Sequence, residues 1–488
     1  MSDRCFLARR GVANMNNSEK RGGFASSFGF LMAAVGSAVG LGNIWGFPYK
    51  AGANGGFAFI IIYIILAVFL GYPMMIGEIA LGRKTRTSAV QAFHKADRRL
   101  TIGGIFDTLS PFCLICFYVV LGGFVMKYMV ANFGDMIHAG FGVGDTKSDD
   151  FFGALISTPT SSLPWMLLFL GLTGLVIAKG VESGIEKFSK VAMPALYLLL
   201  IIMAIRCCTL PGAKGGLEFM FKPNFEVFKG TGWFKVFAAA GSQLFFSLSL
   251  ASGCLISFGS YLDKDANIEK QAVLVPVLDT IAALLAGCCV LPAVFAMGIE
   301  PSGGPGLLFV SLQTVFDGMG SFGPLFGFIF YLLVFLAALS SSIGMMEGAV
   351  SALIDHRLQQ GKSGSRARMT GIAVLLALLG GILVTVDQLG GNTAMWKPFG
   401  QPSWLDAFDL LGEGIFMPLG GLTMTILLGW TRRHYLDDEI EHGSPYRTKG
   451  FVNFSMRYIA PILMAFIVFI QISTFFFSKT AWFQALMG

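Results

Sequence analysis

Charge is scarce in this chain. Only 13% of its 488 residues are Asp, Glu, Lys or Arg, against 54% hydrophobic, and the mean hydropathy is +0.68. A soluble fold of this length has nowhere to put so much apolar surface, so the composition points to a polytopic membrane protein. Histidine is scarcer still. The five, His94, His138, His356, His434 and His442, all fall in loops or at the ends of apolar segments. That leaves no imidazole at membrane depth for a metal centre or for proton transfer, which argues against an intramembrane metalloenzyme. A disulfide framework is missing too. Cys113, Cys116, Cys254, Cys288 and Cys289 lie within apolar runs, Cys207 and Cys208 lie at the end of one, and no pair sits in two loops on one side. They read as packing thiols. Arg4, Arg9, Arg10, Lys20 and Arg21 precede the first apolar run with no early apolar core and cleavage site, so the first span is expected to stay in the mature protein. The formal charge of +6 is concentrated in certain loops and reports topology rather than nucleic-acid binding.

What is present is a series of apolar runs. Eleven spanning segments are expected, at about 24–49, 57–81, 108–133, 163–178, 188–206, 233–260, 270–298, 322–355, 369–386, 404–430 and 451–477. Positive residues crowd the second connection (Arg83, Lys84, Arg86, Lys95, Arg98, Arg99), the eighth (Arg357, Lys362, Arg366, Arg368) and the tenth (Arg432, Arg433, Arg447, Lys449). Since such residues favour the cytoplasmic side, the N-terminus is expected inside and, with eleven spans, the C-terminus outside a cell membrane. The loop 134–162, with Lys147 beside several acids, fits the outer face. Turn residues Thr209-Leu210-Pro211-Gly212 and Ser302-Gly303-Gly304-Pro305-Gly306 suggest structured outer connections at 207–232 and 298–321 that move as lids, and 357–368 reads as a flexible cytoplasmic linker.

Two runs are anomalous. The first carries Gly36-Ser37-Ala38-Val39-Gly40-Leu41-Gly42-Asn43 and then Pro48. Glycine costs about 1 kcal/mol in a helix interior relative to alanine, and hydrocarbon offers no water to the backbone groups a break would free. Such a break survives where it lines a cavity or meets an ion; the alternative is that the glycines let another helix pack closely. The sixth run repeats the anomaly over Ala240–Gly253, where small residues and serines interrupt it. Five spans separate the two, so the second set starts from the opposite side of the membrane. Spans one to five and six to ten can then be related by an inverted repeat with both broken helices meeting at the midplane. Ser340-Ser341-Ser342 forms a polar knot in the eighth run, either facing a ligand or bonding back to its own helix. Asp279 is a carboxylate within the seventh, a functional candidate unless an outer-end lysine pairs with it.

These stretches resemble a known family. Gly40-Leu41-Gly42-Asn43-Ile44-Trp45-Gly46-Phe47-Pro48-Tyr49, Asn54-Gly55-Gly56, Glu78 with Leu81-Gly82-Arg83, Thr209 to Ala213, and Gln243-Leu244-Phe245-Phe246-Ser247-Leu248-Ser249 look like the neurotransmitter:sodium symporters, over about 21–477. Eleven spans resemble the bacterial branch. The resemblance implies an all-α LeuT-type fold with a 5+5 inverted repeat: a cytoplasmic segment 1–23, helices one to five over 24–206, an outer loop 207–232, helices six to ten over 233–430, and a cytoplasmic loop, helix eleven and outer tail over 431–488. It implies sodium-driven uptake of an amino acid or amine by alternating access, with no enzymatic step and no organic cofactor.

Two sodium ions are implied. The first would meet the Ala38 carbonyl, Asn43, Ser247, Asp279 and the substrate carboxylate; the second would meet the carbonyls of Gly36, Val39 and Ala337 and the hydroxyls of Ser340 and Ser341. Asp279 stands where chloride-dependent relatives carry a neutral residue, so chloride is not expected. Tyr63 and Gln243 match residues around that site, and Glu78 matches a glutamate that bonds the unwound sixth segment. Gly40, where amine carriers tend to have aspartate, favours an amino acid. Ser37, Ala38, Gly40, Gly42, Leu114, Tyr118, Phe246, Ser247, Ser249, Ser252, Ser341 and Met345 are the implied substrate residues, with Tyr118 and Phe246 as an outer lid. They suit a large hydrophobic or aromatic amino acid, although a polar one would find two serines. Arg21 and Asp355, with Tyr261, match an inner gate, with Phe24 in place of a tryptophan. Asp409 matches the acid of an outer gate whose arginine is Gly46 here; Lys50 or water would have to substitute. An amine transporter and a membrane sensor that binds without transporting are the alternatives. The resemblance implies no nucleic-acid partner and leaves the oligomeric state open.

Overall fold

The computed structural model describes residues 22–298, 304–477 and 480–483. Within them the regular elements are helical. Nine continuous helices are long and apolar enough to cross a bilayer: Phe57–Thr85, Arg98–Met136, Pro159–Ala178, Val181–Cys208, Ile268–Ala296, Gly320–Gln359, Arg366–Gly390, Trp404–Thr431 and Lys449–Thr474. These are spans two to five and seven to eleven. The pair Ser27–Ala38 and Gly42–Ala53, bent by 56°, makes span one. Span six is Gly232–Leu248 followed by Cys254–Ser260, each half too short to cross alone.

Several boundaries differ from expectation. The third and eighth helices run longer than expected, the third beginning at Thr101 and the eighth continuing through His356–Gln359. The linker after span eight therefore shortens to 360–365. The outer connection 207–232 holds a helix, Lys214–Phe221, and a 3-10 turn, Phe225–Phe228, while Leu307–Asp317 forms a short apolar helix in the other. Residues 299–303 of that connection lie outside the described part.

The interruption of span six is also narrower than 240–253. Ala240 to Leu248 stays helical, since alanine, leucine, glutamine and phenylalanine are all tolerated there, and the break is confined to 249–253. Three residues in it have left-handed backbone: Ser249 (φ 51°), Ala251 (φ 52°) and Gly253 (φ 64°). For the two that carry a Cβ this conformation costs roughly 1–2 kcal/mol each. Two bonds offset it: Ala251 N–H donates to Glu78 Oε1 at 2.8 Å, and Ser252 Oγ donates to the Ser249 carbonyl at 2.6 Å. The first-span break is centred on Val39, whose backbone is extended (φ −73°, ψ 102°).

Close helix packing positions the breaks. A Cβ on Gly82 would stand 1.9 Å from the Ile256 carbonyl and one on Gly259 2.4 Å from that of Ile79, so Cys254–Ser260 is pressed directly onto span two. Among the described residues, spans three and eight share the most extensive helix contact and form a wall beside both breaks. Large apolar side chains such as Leu175, Val191, Ile205 and Ile462 are exposed on the outside of the bundle, as a lipid-facing surface requires.

Candidate functional site

Spans one, two, six and seven converge on Asp279, which is fully buried. Its Oδ1 accepts from Asn43 Nδ2 at 2.7 Å; its Oδ2 accepts from Ser247 Oγ at 2.7 Å and from the Tyr63 hydroxyl at 3.2 Å. Asn43 Nδ2 also reaches Ser247 Oγ at 2.9 Å, while its Oδ1 accepts from Gly40 N–H at 3.0 Å. Hydrogen bonds to a carboxylate are about twice as strong as neutral ones, so these donors replace the lysine that composition alone left possible. Carboxylate, hydroxyl and carboxamide form an oxygen set of the kind hard cations take. In this arrangement Asn43 turns its nitrogen to Asp279.

A second oxygen cluster lies on the other side of the first break. Ser341 Oγ lies 3.3 Å from the Gly36 carbonyl oxygen, 3.0 Å from that of Ser37 and 3.2 Å from that of Val39, the groups freed where the helix stops. Ser340 instead bonds back to Leu336 and Ala337 at 2.9 and 3.0 Å, and Ser342 to Leu339 and Thr173. One serine of the knot thus crosses to span one and two satisfy their own helix. Ser340 still faces the break: its Cβ is 3.0 Å from the position a Cβ on Gly36 would take.

Between the clusters is a small, tightly closed cavity lined by Ser37, Ala38, Gly40, Gly42, Asn43, Leu114, Tyr118, Phe246, Ser249, Ser252, Ser341, Met345 and Met417. Its glycines stand where the neighbouring side chains come closest. A Cβ on Gly40 would stand 2.5 Å from Ser341 Oγ and 2.8 Å from the Tyr118 hydroxyl, and one on Gly42 2.3 Å from the Phe246 ring. The Tyr118 hydroxyl accepts from Leu41 N–H at 3.1 Å. Both serines at the side-chain end have spent their protons on backbone: Ser249 Oγ donates to the Ser37 carbonyl at 3.0 Å and Ser252 Oγ to that of Ser249. Leu114, Phe246, Met345 and Met417 supply the apolar wall. Met417, on span ten, escapes sequence reasoning because only packing brings it there.

The two sides of the cavity are closed differently. On one, Ser88 donates to Asp355 Oδ2 from both its backbone N–H and its hydroxyl, at 2.6 Å each. Arg21, the expected partner of Asp355, lies outside the described residues. Tyr261 donates to the buried Glu347 Oε1 at 2.7 Å, and Arg366 pairs with the other oxygen of Glu347. Phe24 packs edge-on against Phe30, Phe258 and Tyr261, filling the place expected for a larger ring. Ser88, Glu347 and Arg366 were not anticipated. An acid inside an apolar run is the signal that identifies Asp279, and it applies equally to Glu347.

On the other side, Lys50, Ser242, Asp406, Asp409, Glu413 and Gln471 line a wide vestibule. Ser242 bonds Glu413. Among the described residues Lys50 forms no ion pair within 4 Å with Asp409, although its charge acts on that carboxylate. Where an arginine would begin at position 46, a Cβ would lie 3.2 Å from Gln243 Oε1, a buried oxygen with no protein donor. Gln243 Nε2 donates to the Gly42 carbonyl at 3.2 Å.

The pattern of the sodium:neurotransmitter symporter family matches residues 21–139 and 156–484. A protein of Bacillus subtilis named as an uncharacterized sodium-dependent transporter is 35% identical over 93% of this chain and 98% of its own. A similarly named protein of Haemophilus influenzae is 32% identical over 94% and 99%. The crystal structure of MhsT in complex with L-phenylalanine superposes with a TM-score of 0.81, at 35% identity, over 93% of this chain and all of that one.

Proposed function

The chain belongs to the sodium:neurotransmitter symporter family, and from that premise we propose that it couples sodium entry to import of a large apolar or aromatic amino acid. Membership makes it a membrane-embedded, sodium-dependent transporter of LeuT-type fold rather than an enzyme. The amino-acid reading goes further and rests chiefly on one observation: the cavity between the two helix breaks has an apolar far end whose serine hydroxyls already serve the backbone. MhsT, similar along its whole length, holds L-phenylalanine. Gly40 offers no carboxylate to pair with an amine, which favours an amino acid over an amine.

Two sodium ions act as co-substrates in this reading. One sits among Ala38, Asn43, Ser247 and Asp279 beside the substrate carboxylate, the other among Gly36, Val39, Ala337, Ser340 and Ser341. Both use carbonyls or side chains of the first-span break, so filling either ion site stabilises the backbone that shapes the substrate cavity. Tyr118 and Phe246 close over the substrate from outside while the Asp355 side stays shut; spans one, two, six and seven then rock against the rest and open the cytoplasmic side. Lys50 and Asp409 face each other across the outer vestibule, and water carries the contact that an arginine would make directly. The N-terminus is cytoplasmic and the C-terminus outside. Asp279 supplies a fixed negative charge, so transport runs without chloride.

Reconstitution into proteoliposomes tests this reading. An inward sodium gradient should concentrate labelled phenylalanine inside, competed by other large apolar amino acids, with uptake undiminished when gluconate replaces chloride. Equal internal and external concentrations under a sodium gradient would leave only a binding sensor, and collapse in gluconate would remove the role given to Asp279.

A further inference from the structure

Where span ten ends and span eleven begins, the two helices leave an open recess of about 250 Å³, lined by Arg433, His434, Asn453, Phe454, Arg457 and Tyr458 together with span-ten backbone. It lies where the positive connections gather, since neighbouring Arg432 pairs with Asp97 of the second connection at 3.5 Å. The helices are fastened beside it. A Cβ on Gly429 would stand 2.2 Å from the Met456 carbonyl oxygen, and Trp430 Nε1 donates to the Arg457 carbonyl at 3.0 Å. Trp430, Phe454 and Tyr458 are exposed around the recess, as aromatic rings at the level of lipid headgroups are.

The two arginines have no carboxylate to pair with. The acids of the connection between the spans are engaged elsewhere: Asp437 by His434 and Lys449, Asp438 by Lys84, Glu439 by Arg83 and Glu441 by Lys449. Both guanidinium groups are nevertheless held in place. Arg433 Nε donates to the Gly429 carbonyl at 3.2 Å, and the Arg457 guanidinium lies over the Tyr458 ring, 5.0 Å from its centre. Arg457 Nε is buried and, among the described residues, has no acceptor. His434 Nδ1 donates to Asp437 at 2.7 Å, so the Asn453 amide, 3.5 Å from the same nitrogen, finds no acceptor in it.

We propose that this recess binds the phosphate of an anionic glycerophospholipid, with Arg433 and Arg457 on its free oxygens and Asn453 as a further donor. Planar guanidinium forks match phosphate geometry, and basic pockets between the ends of spanning helices suit anionic headgroups. An anionic lipid fits better than a zwitterionic one because an added ammonium would find the nearby acids already taken. A lipid fits better than free phosphate because Phe454, Tyr458 and Ile462, spaced four residues apart on span eleven, form an exposed apolar stripe along which an acyl chain can lie. Such a site needs only that the chain is embedded in a membrane, so it stands apart from the amino-acid reading.

Native mass spectrometry of the full chain, with phosphatidylglycerol or phosphatidylethanolamine of matched acyl chains titrated in, tests it. The wild type should retain phosphatidylglycerol about tenfold better, and the double variant Arg433→Gln with Arg457→Gln should cut that preference below about twofold. Arg432→Gln, whose arginine serves Asp97, should keep it. An unchanged melting temperature without added lipid checks that the double variant folds; if it does not, Arg433→Gln alone, whose Nε bond lies within its own helix, should lower the preference at least about threefold. Equal retention of the two lipids by the wild type, or a preference untouched by these substitutions, overturns the proposal. So does an equal loss in Arg432→Gln, which would make the preference a diffuse effect of surface charge. Displacement of the bound lipid by millimolar inorganic phosphate overturns it as well, by making the recess a site for free anions.

Discussion

The two oxygen clusters flanking the first-span break solve the same problem with different chemistry. Around Asp279 a carboxyl group is buried and held by three side-chain donors, two of them at 2.7 Å. Around Ser341 there is no formal charge: one hydroxyl lies among three carbonyls that the interrupted helix left free. The first cluster is therefore sensitive to any change of charge and the second to any change of backbone. The carboxylate is satisfied by hydrogen bonds from Asn43, Ser247 and Tyr63, whereas the freed backbone carbonyls share one hydroxyl.

Substitutions can break or sharpen that contrast. Gly40→Val attacks the Ser341 cluster and the cavity at once, because its side chain would drive into Ser341 and Tyr118; overpacking of about 1–3 kcal/mol puts the loss of phenylalanine binding at about 5- to 150-fold, read by scintillation proximity. Asp279→Asn removes the charge and strands its donors, weakening apparent sodium affinity about 10- to 100-fold in a sodium titration of thermal stability. Ser341→Ala removes a neutral hydroxyl, with a cost of about 0.5–1.5 kcal/mol and a three- to tenfold shift in the same titration. If the two substitutions cost the same, the distinction between charged and dipolar sites is wrong. Lys50→Ala should be smallest, below about threefold in substrate affinity, since a partly exposed lysine that acts on Asp409 only at a distance among the described residues contributes little. A larger loss would make it the replacement for the missing gate arginine.

Particular residues show how far the chain could be read in advance. Glycine density at 36–42 and the five-span offset to the serines near 249 are local features, and hydrocarbon punishes them enough that a break is the economical reading. Asp279 stands out for the same reason, as one carboxylate in an apolar run. Other features carry no such mark. Met417 lies in an unremarkable apolar stretch and reaches the cavity only because span ten packs on span three. Ser340 and Ser341 are adjacent and chemically identical, yet one bonds back to its own helix and the other crosses to span one. The roughly 100° turn between successive helix positions decides which, and only relative to a neighbour. Glu347 offered the same signal as Asp279, but its partner Arg366 lies past a connection read only for topology.

Hydrophobic content, the spacing of the apolar runs and the placement of glycine were enough by themselves to set a helical membrane protein with two opposed interruptions, because lipid leaves the backbone so few ways to satisfy itself. Tertiary structure alone decided which oxygens meet. The Asp279 and Ser341 clusters and the bond from Ser249 to the Ser37 carbonyl all join segments dozens to hundreds of residues apart. Their distances depend on how helices rotate and approach one another, which a one-dimensional pattern of polar and apolar residues does not encode.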